Sequence, residues 1–273
     1  MAGERNSPQT LCLGKADFSK IRRGEPSRMA ANAAITPGGP PLTTWAARTS
    51  APPECHYTER MQRSFEEEIL DGDGVLPEVL DRAHRRLSQT HSLLGNHAAI
   101  LRALKCDGKA TRRVLDIGCG HGGLLEKVRR QMGVEVLGVD LRPPVGGARE
   151  FPIIQLDAVR EALPRADVAV SVCLVHHLRD EEFVEMIRNV GRACRRFVIL
   201  DLVRHRVPLA LFTAFAPLCL PRVNVLDGCQ SIRRAYTPAE FRLLIAQAVS
   251  GTGASFRHSV APLWIRQTAD IRY

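Results

Sequence analysis

The chain is short of several things that would each point to a function. None of its 273 residues lies in an uninterrupted apolar stretch of the roughly 20 that a membrane-spanning helix needs. Its start, Met1-Ala-Gly-Glu-Arg-Asn6, has no apolar signal core. The eight cysteines, at 12, 55, 106, 119, 173, 194, 219 and 229, include no C-x-x-C pair and no metal-type spacing. The expectation is a soluble cytoplasmic protein with reduced thiols and no bound metal. Aromatic residues make up only 5%, and the net charge of +9 sits on dispersed arginines, in pairs such as Arg22-Arg23, Arg112-Arg113, Arg195-Arg196 and Arg233-Arg234. A nucleic-acid track needs clustered charge with interleaved aromatics, so no nucleic-acid partner is expected.

With 45% hydrophobic residues the chain can build one ordinary core. Residues 1–58 are rich in Pro, Gly, Ala, Ser and Thr and read as a disordered leader. From 59 to 106 the pattern is helical. Met61, Phe65, Ile69 and Leu70 share one helical face, and Asp71-Gly-Asp-Gly74 is a turn, since Val75 and Leu76 stand where a calcium loop needs an oxygen ligand and a glycine. Leu80, Ala83, Leu87 and Leu94 mark an amphipathic helix from Pro77, and a second runs from His97 to Lys105.

The centre of the chain is Arg113-Val-Leu-Asp-Ile-Gly-Cys-Gly-His-Gly-Gly-Leu-Leu125, an apolar strand, a glycine-rich turn and the start of a helix. Glycines at such a turn let the backbone approach a ligand, and the helix offers its free N–H groups. Gly118-x-Gly120-x-x-Gly123 alone fits a dinucleotide site, which keeps an NAD(P)-dependent oxidoreductase open. Asp116, two residues before the first glycine, would repel a pyrophosphate and welcome an ammonium group.

Two further strands also end in acids: Glu135 to Leu141 carries Asp140, and Phe151 to Ala158 carries Asp157. Asp140 can accept both hydroxyls of a ribose, and Pro143-Pro144 after it leaves little room for a helix. Ala166–Leu174 reads as a strand buried on both faces and runs into Val175-His176-His177-Leu178. A helix follows over 181–194, then a strand over 196–203. Its Asp201 is expected to cap or to pair at the surface. Val207–Leu220 is apolar but broken by prolines, and Thr237-Pro238-Ala-Glu240 caps a helix to about Val249. Ser255–Val260 and Leu263–Thr268 read as a closing antiparallel hairpin.

Asp116 with Gly118, Gly120 and Gly122 resembles motif I of class I S-adenosylmethionine (AdoMet)-dependent methyltransferases, and the histidine pair resembles the segment after the fourth strand in their small-molecule members. The likeness spans about residues 62–270. Within the family it is nearest those acting on phenolic or quinone-type compounds. It implies an α/β Rossmann-like, seven-stranded, mostly parallel sheet with an antiparallel C-terminal hairpin, a helical N-terminal cap (59–106), and an AdoMet-binding domain (107–273) with an apolar insertion (204–235) over the cofactor's methyl group. It also implies that AdoMet is held by Asp116, Gly118, Cys119, Gly120, Gly122, Asp140, Leu141, Asp157, Ala158 and Cys173. His176 or His177 would be the general base for O-methylation of a lipophilic aromatic small molecule, with Arg233 and Tyr236 at the pocket's border and weak membrane-surface contact through the insertion. An RNA or protein methyltransferase is the other reading, and it lacks the Asn/Asp-Pro-Pro-aromatic motif of amine methylation.

Overall fold

Apolar runs at 114–117, 136–139, 168–171 and 197–200 are buried along their whole length and lie side by side as the centre of one sheet. The computed structural model describes residues 61–72, 77–106, 111–143 and 150–273. The expected leader, the end of the Asp71–Gly74 turn and most of the linker after Asp140 lie outside them.

In chain order the elements are α1 (Pro77–Leu93), α2 (Asn96–Lys105), β1 (Arg113–Ile117), α3 (Gly123–Met132), β2 (Glu135–Asp140), β3 (Ile153–Gln155), β4 (Ala166–Val172), α4 (Asp180–Ala193), β5 (Cys194–Asp201), α5 (Arg206–Phe215), α6 (Arg222–Arg234), α7 (Pro238–Val249), β6 (Ser255–Val260) and β7 (Gln267–Arg272). The sheet has seven strands in the order β3-β2-β1-β4-β5-β7-β6. The first five are mutually parallel, and β7 pairs antiparallel with both β5 and β6. This is the expected Rossmann-like sheet with its C-terminal hairpin.

Strand alternation divides the core between the two faces. Leu115, Ala169, Phe197 and Ile199 pack with Phe183, Met186 and Ile187 of α4 and Phe241 and Ile245 of α7. Val114, Val168, Val170 and Val198 pack with Ile100 and Leu104 of α2 and Leu125 and Val128 of α3. Each fully buried side chain of this size contributes about 1.5–3 kcal/mol. The strand order reverses between β1 and β4, so the carboxyl ends of these two strands open a crevice for a ligand.

Four expectations are corrected. Residues 61–68 are extended rather than helical, followed by a 3-10 turn, Ile69–Asp71. Their backbone groups bond to distant partners instead of to each other: Ser64 N–H donates to Arg233 O (3.1 Å), and Ile69 and Leu70 N–H donate to the Asp227 carboxylate (2.8 and 3.1 Å). The last strand begins at Gln267, not Leu263, because Gln267, Ala269 and Ile271 form its buried face, whereas Leu263, Trp264 and Ile265 lie partly exposed in and after a 3-10 turn. Of the apolar insertion, Arg234 alone among the described residues borders the cleft, and the insertion's apolar side chains do not. It folds as α5, a 3-10 turn and α6, leaving Phe215 and Leu218 exposed at 62% and 79%. Of α1's expected stripe, Ala83 is buried while Leu87 and Leu94 are largely exposed.

Candidate functional site

The carboxyl ends of β1, β2 and β4 and the chain after β3 enclose a cleft of about 510 Å³. That size lies in the range of small-molecule and cofactor pockets. Asp116, Gly118, Cys119, Gly120, Asp140, Leu141, Asp157, Ala158, Cys173 and His177 all line it. Two expected residues do not. Gly122 is the N-cap of α3 (φ +74°), where a Cβ would stand 2.6 Å from the Phe151 ring, so its work is in the turn. His176 lies behind His177, against a second cavity bordered by Arg63, Phe65, Glu67 and Arg234.

The turn itself is built for close approach. Gly118 and Gly120 have φ of +70° and +50°, a region that costs non-glycine residues roughly 1–2 kcal/mol. A Cβ on Gly120 would meet no atom within 4 Å, so that backbone borders open space. Gly120 N–H donates to Asp140 Oδ2 (2.8 Å) and Arg142 N–H to Oδ1 (2.9 Å), which locks the second acid against the first turn.

Asp116 is 3% exposed, and its carboxylate has no hydrogen bond or ion pair among the described residues. Burial, then the nearby Asp140 charge, pushes its carboxyl well above the usual carboxylate range. A cationic group in the cleft would relieve both effects, and the ammonium of AdoMet is such a group. Glycine cradle, orphaned acid and locked Asp140 together fit AdoMet. Asp157 is more engaged than expected: its carboxylate accepts from Val159 N–H (2.8 Å) and from the Arg160 guanidinium (2.7 Å), which help hold it below its ordinary range against the opposing effect of burial. Cys173, directly after β4, has a left-handed conformation (φ +53°), and burial raises its thiol's pKa well above the ordinary value.

The histidine pair lies on a 3-10 turn, Val175–His177, directly after β4. His176 is 2% exposed. Its Nδ1 is 2.7 Å from Asp201 Oδ1, and its backbone N–H donates to Asp201 Oδ2 (3.2 Å). A carboxylate can only accept, so Nδ1 carries the proton and Nε2 presents a lone pair. Asp201, expected to cap or pair at the surface, is 1% exposed and orients this ring. His177 is about a quarter exposed.

Sequence reading also missed Glu68, whose Oε1 lies 3.7 Å from His176 Nε2 and 3.8 Å from His177 Nε2. The extended segment that carries it is held by Arg63, which donates to the carbonyls of Arg234 and Leu178 (both 2.7 Å), and by Arg204, which donates to Met61 O (2.9 Å). Neither of the expected border residues lines the cleft. Tyr236 is buried, with its hydroxyl donating to Leu178 O (2.9 Å), and Arg233 is exposed, whereas its neighbour Arg234 faces the cleft. Leu70, Leu87, Leu124, Leu174, Leu178 and Met186 add apolar surface to the cleft, beside the polar Glu67, Ser88, Glu182 and Arg234.

Residues 114–196 match the family described as "Methyltransferase domain". The ubiquinone biosynthesis O-methyltransferase of Pseudomonas aeruginosa strain PAO1 is 32% identical over 103 residues, which is 33% of this chain and 41% of that protein. Its counterpart in Pseudomonas fluorescens strain Pf-5 gives the same figures. The match therefore spans about two fifths of the length of these curated relatives. Among solved structures, the plantazolicin methyltransferase BpumL in complex with SAH superposes with a TM-score of 0.58 at 14% identity, covering 74% of this chain and 92% of that one. Human N-acetylserotonin methyltransferase in complex with SAM gives 0.54 at 15%, covering 77% and 62%.

Proposed function

We propose that this chain, which carries a class I AdoMet-dependent methyltransferase domain, transfers the methyl group of AdoMet to a hydroxyl of a lipophilic aromatic acceptor of phenolic or quinone type. The observation that carries the reading is the convergence on one cleft of the orphaned Asp116, the Gly118–Gly120 cradle and Asp140 with His177, the outer member of the histidine pair. AdoMet supplies an electrophilic methyl on a sulfonium. Asp116 holds the amino-acid end of the cofactor and Asp140 the ribose, while Asp157 and Ala158 border its base. Fixing cofactor and acceptor at near-attack distance contributes up to about 7–11 kcal/mol.

A phenol, with a pKa of about 10, must also lose its proton, and His177, which lines the cleft in front of the buried His176, is where that proton leaves. The leucine and methionine walls support an apolar acceptor. The relatives' printed role in ubiquinone biosynthesis supports a quinone-type one. Such acceptors reside in membranes. Residues 202–226 contain no acidic side chain and expose Phe215, Leu218 and Leu226, which supports weak contact with a membrane surface. Free thiols at all six described cysteines agree with a cytoplasmic setting.

Calorimetry with S-adenosylhomocysteine and with NADH tests the cofactor. Binding of the first alone is expected, and binding of NADH without the first overturns the reading. Turnover of phenolic acceptors at saturating AdoMet, compared with His176→Gln and His177→Gln, tests the proton path, and unchanged turnover in both variants removes it.

A further inference from the structure

We infer that Glu68, His176 and His177 form a binding site for a divalent transition-metal ion of the zinc class, beside the part of the cleft that His177 lines. One ligand atom from each of the three residues lies within 4.8 Å of the other two. Glu68 Oε1 is 3.7 and 3.8 Å from the Nε2 atoms of His176 and His177. Those separations are too long for hydrogen bonds. They are close to the roughly 3.4 Å edge of a tetrahedron with metal–ligand bonds of 2.0–2.1 Å. Two imidazoles and one carboxylate leave one position open, the composition of a catalytic rather than a structural zinc site.

The surroundings supply the support that such ligands need. His176 Nδ1–H donates to Asp201 Oδ1 (2.7 Å), so its Nε2 is the nitrogen free to ligate. Asp201 is itself fixed, accepting from the N–H groups of His176 (3.2 Å) and Leu202 (2.6 Å). A carboxylate behind a ligating imidazole is the usual arrangement at metal centres, where it sets the tautomer and raises the ring's basicity. On the opposite side Ser231 Oγ donates to Glu68 Oε1 (2.7 Å). The ligands come from two separate pieces of chain, and His177, the most exposed of the three, faces the cleft. The open position there suits an oxygen donor, the class to which an ionised phenol belongs; with both Nε2 lone pairs on the metal, coordination would lower that hydroxyl's pKa and so replace the imidazoles as the means of losing its proton.

This inference rests on the proposed function only for the nature of that oxygen donor, and its test reads metal directly. The full chain, stripped with a chelator, is titrated with Zn²⁺ by calorimetry, and bound metal is counted by mass spectrometry. One equivalent per chain is expected, with affinity reduced at least 100-fold in Glu68→Gln and His177→Ala and about 10- to 100-fold in Asp201→Asn. Co²⁺ in place of zinc is expected to give the visible spectrum of a tetrahedral centre, and added catechol, an oxygen-donor probe, is expected to shift it.

Failure of the unmodified chain to take up stoichiometric Zn²⁺ overturns the inference. So does an equivalent retained unchanged in both Glu68→Gln and His177→Ala, which would place the ion elsewhere. S-adenosylhomocysteine binding to the metal-free chain is measured in parallel. Nucleoside binding without zinc binding sinks the metal site and leaves the methyltransferase reading standing, and zinc binding without nucleoside binding does the converse.

Discussion

Acid should unfold this protein through two histidines that no catalytic step uses. His91, on α1, and His97, on α2, both line the cleft, and burial is the main force lowering each from 6.5 to about 4. His91 faces Asn96 (Nδ2 to Nδ1, 3.1 Å), His97, His176 and Asp201, of which only Asp201 favours its protonation; His97 faces Lys127. His97 is 5% exposed, and its Nδ1 is buried without a hydrogen-bond partner.

The unfolded chain therefore binds protons at these rings before the folded one does, and folding free energy falls as pH drops through the interval between 6.5 and 4. Linkage over that interval gives a loss of about 2 kcal/mol per histidine by pH 4.5, or roughly 4 kcal/mol for the pair. Domain stabilities are about 5–15 kcal/mol, so the loss is large. Asp116 acts in the opposite sense, because its raised folded value makes acid favour the folded state through that group. The comparison must cancel it.

Urea unfolding of the unmodified chain and of His91→Gln/His97→Gln, followed by circular dichroism at pH 7.5 and pH 4.5, does so. The double variant is expected to lose about 4 kcal/mol less between the two pH values. A difference below about 1 kcal/mol refutes the claim that these rings are held neutral by burial.

Three other outcomes follow from the geometry. Asp140→Asn removes the negative charge that accepts from Gly120 and Arg142, and S-adenosylhomocysteine affinity measured by calorimetry should fall about ten- to 100-fold, the loss of charge-assisted hydrogen bonds. Two glycine variants should separate: Gly122→Ala forces a Cβ against Phe151 at positive φ and should lower the melting temperature by about 3–6 °C, whereas Gly120→Ala meets open space and should mainly weaken nucleoside binding. Arg204→Met leaves the carbonyls of Met61 and Ala235 and the Glu240 carboxylate without their shared donor, which should cost about 2 kcal/mol in urea unfolding and open residues 61–72 to proteolysis.

The sheet was legible where burial is two-sided. Val114–Ile117, Val136–Val139 and Val168–Ser171 read as strands because both faces are covered and almost every residue is apolar, Asp116 and Ser171 being the exceptions. Legibility fails where one face is wet. Gln267-Thr-Ala-Asp-Ile-Arg272 hides three inward residues among polar ones, so the neighbouring Leu263-Trp-Ile265 drew the expected strand early. Residues 61–68 carry a helical spacing yet run extended, because their partners, on α6, at Leu178 and at Arg204, all lie more than 100 positions away. The same division runs through the site. Asp116, Asp140 and Asp157 announce themselves because each follows its own strand. Asp201 follows a strand too, but its meaning depends on His176, 25 residues earlier, and Glu68 gains a role only when folding brings it across 108 positions to the histidine pair.

The extended segment at 61–72 has a consequence for how such a protein can change. The nucleoside end of the cleft is written into strands that also form the core, so substitutions there risk the fold. The other end owes Glu67 and Leu70 to a peripheral strap tied down mainly through Arg63, Arg204 and Asp227. Drift in a dozen strap residues can therefore retune which acceptor is admitted while the cofactor platform stays as it is. Homologues with closely similar sheets should diverge in acceptor preference chiefly where their straps diverge.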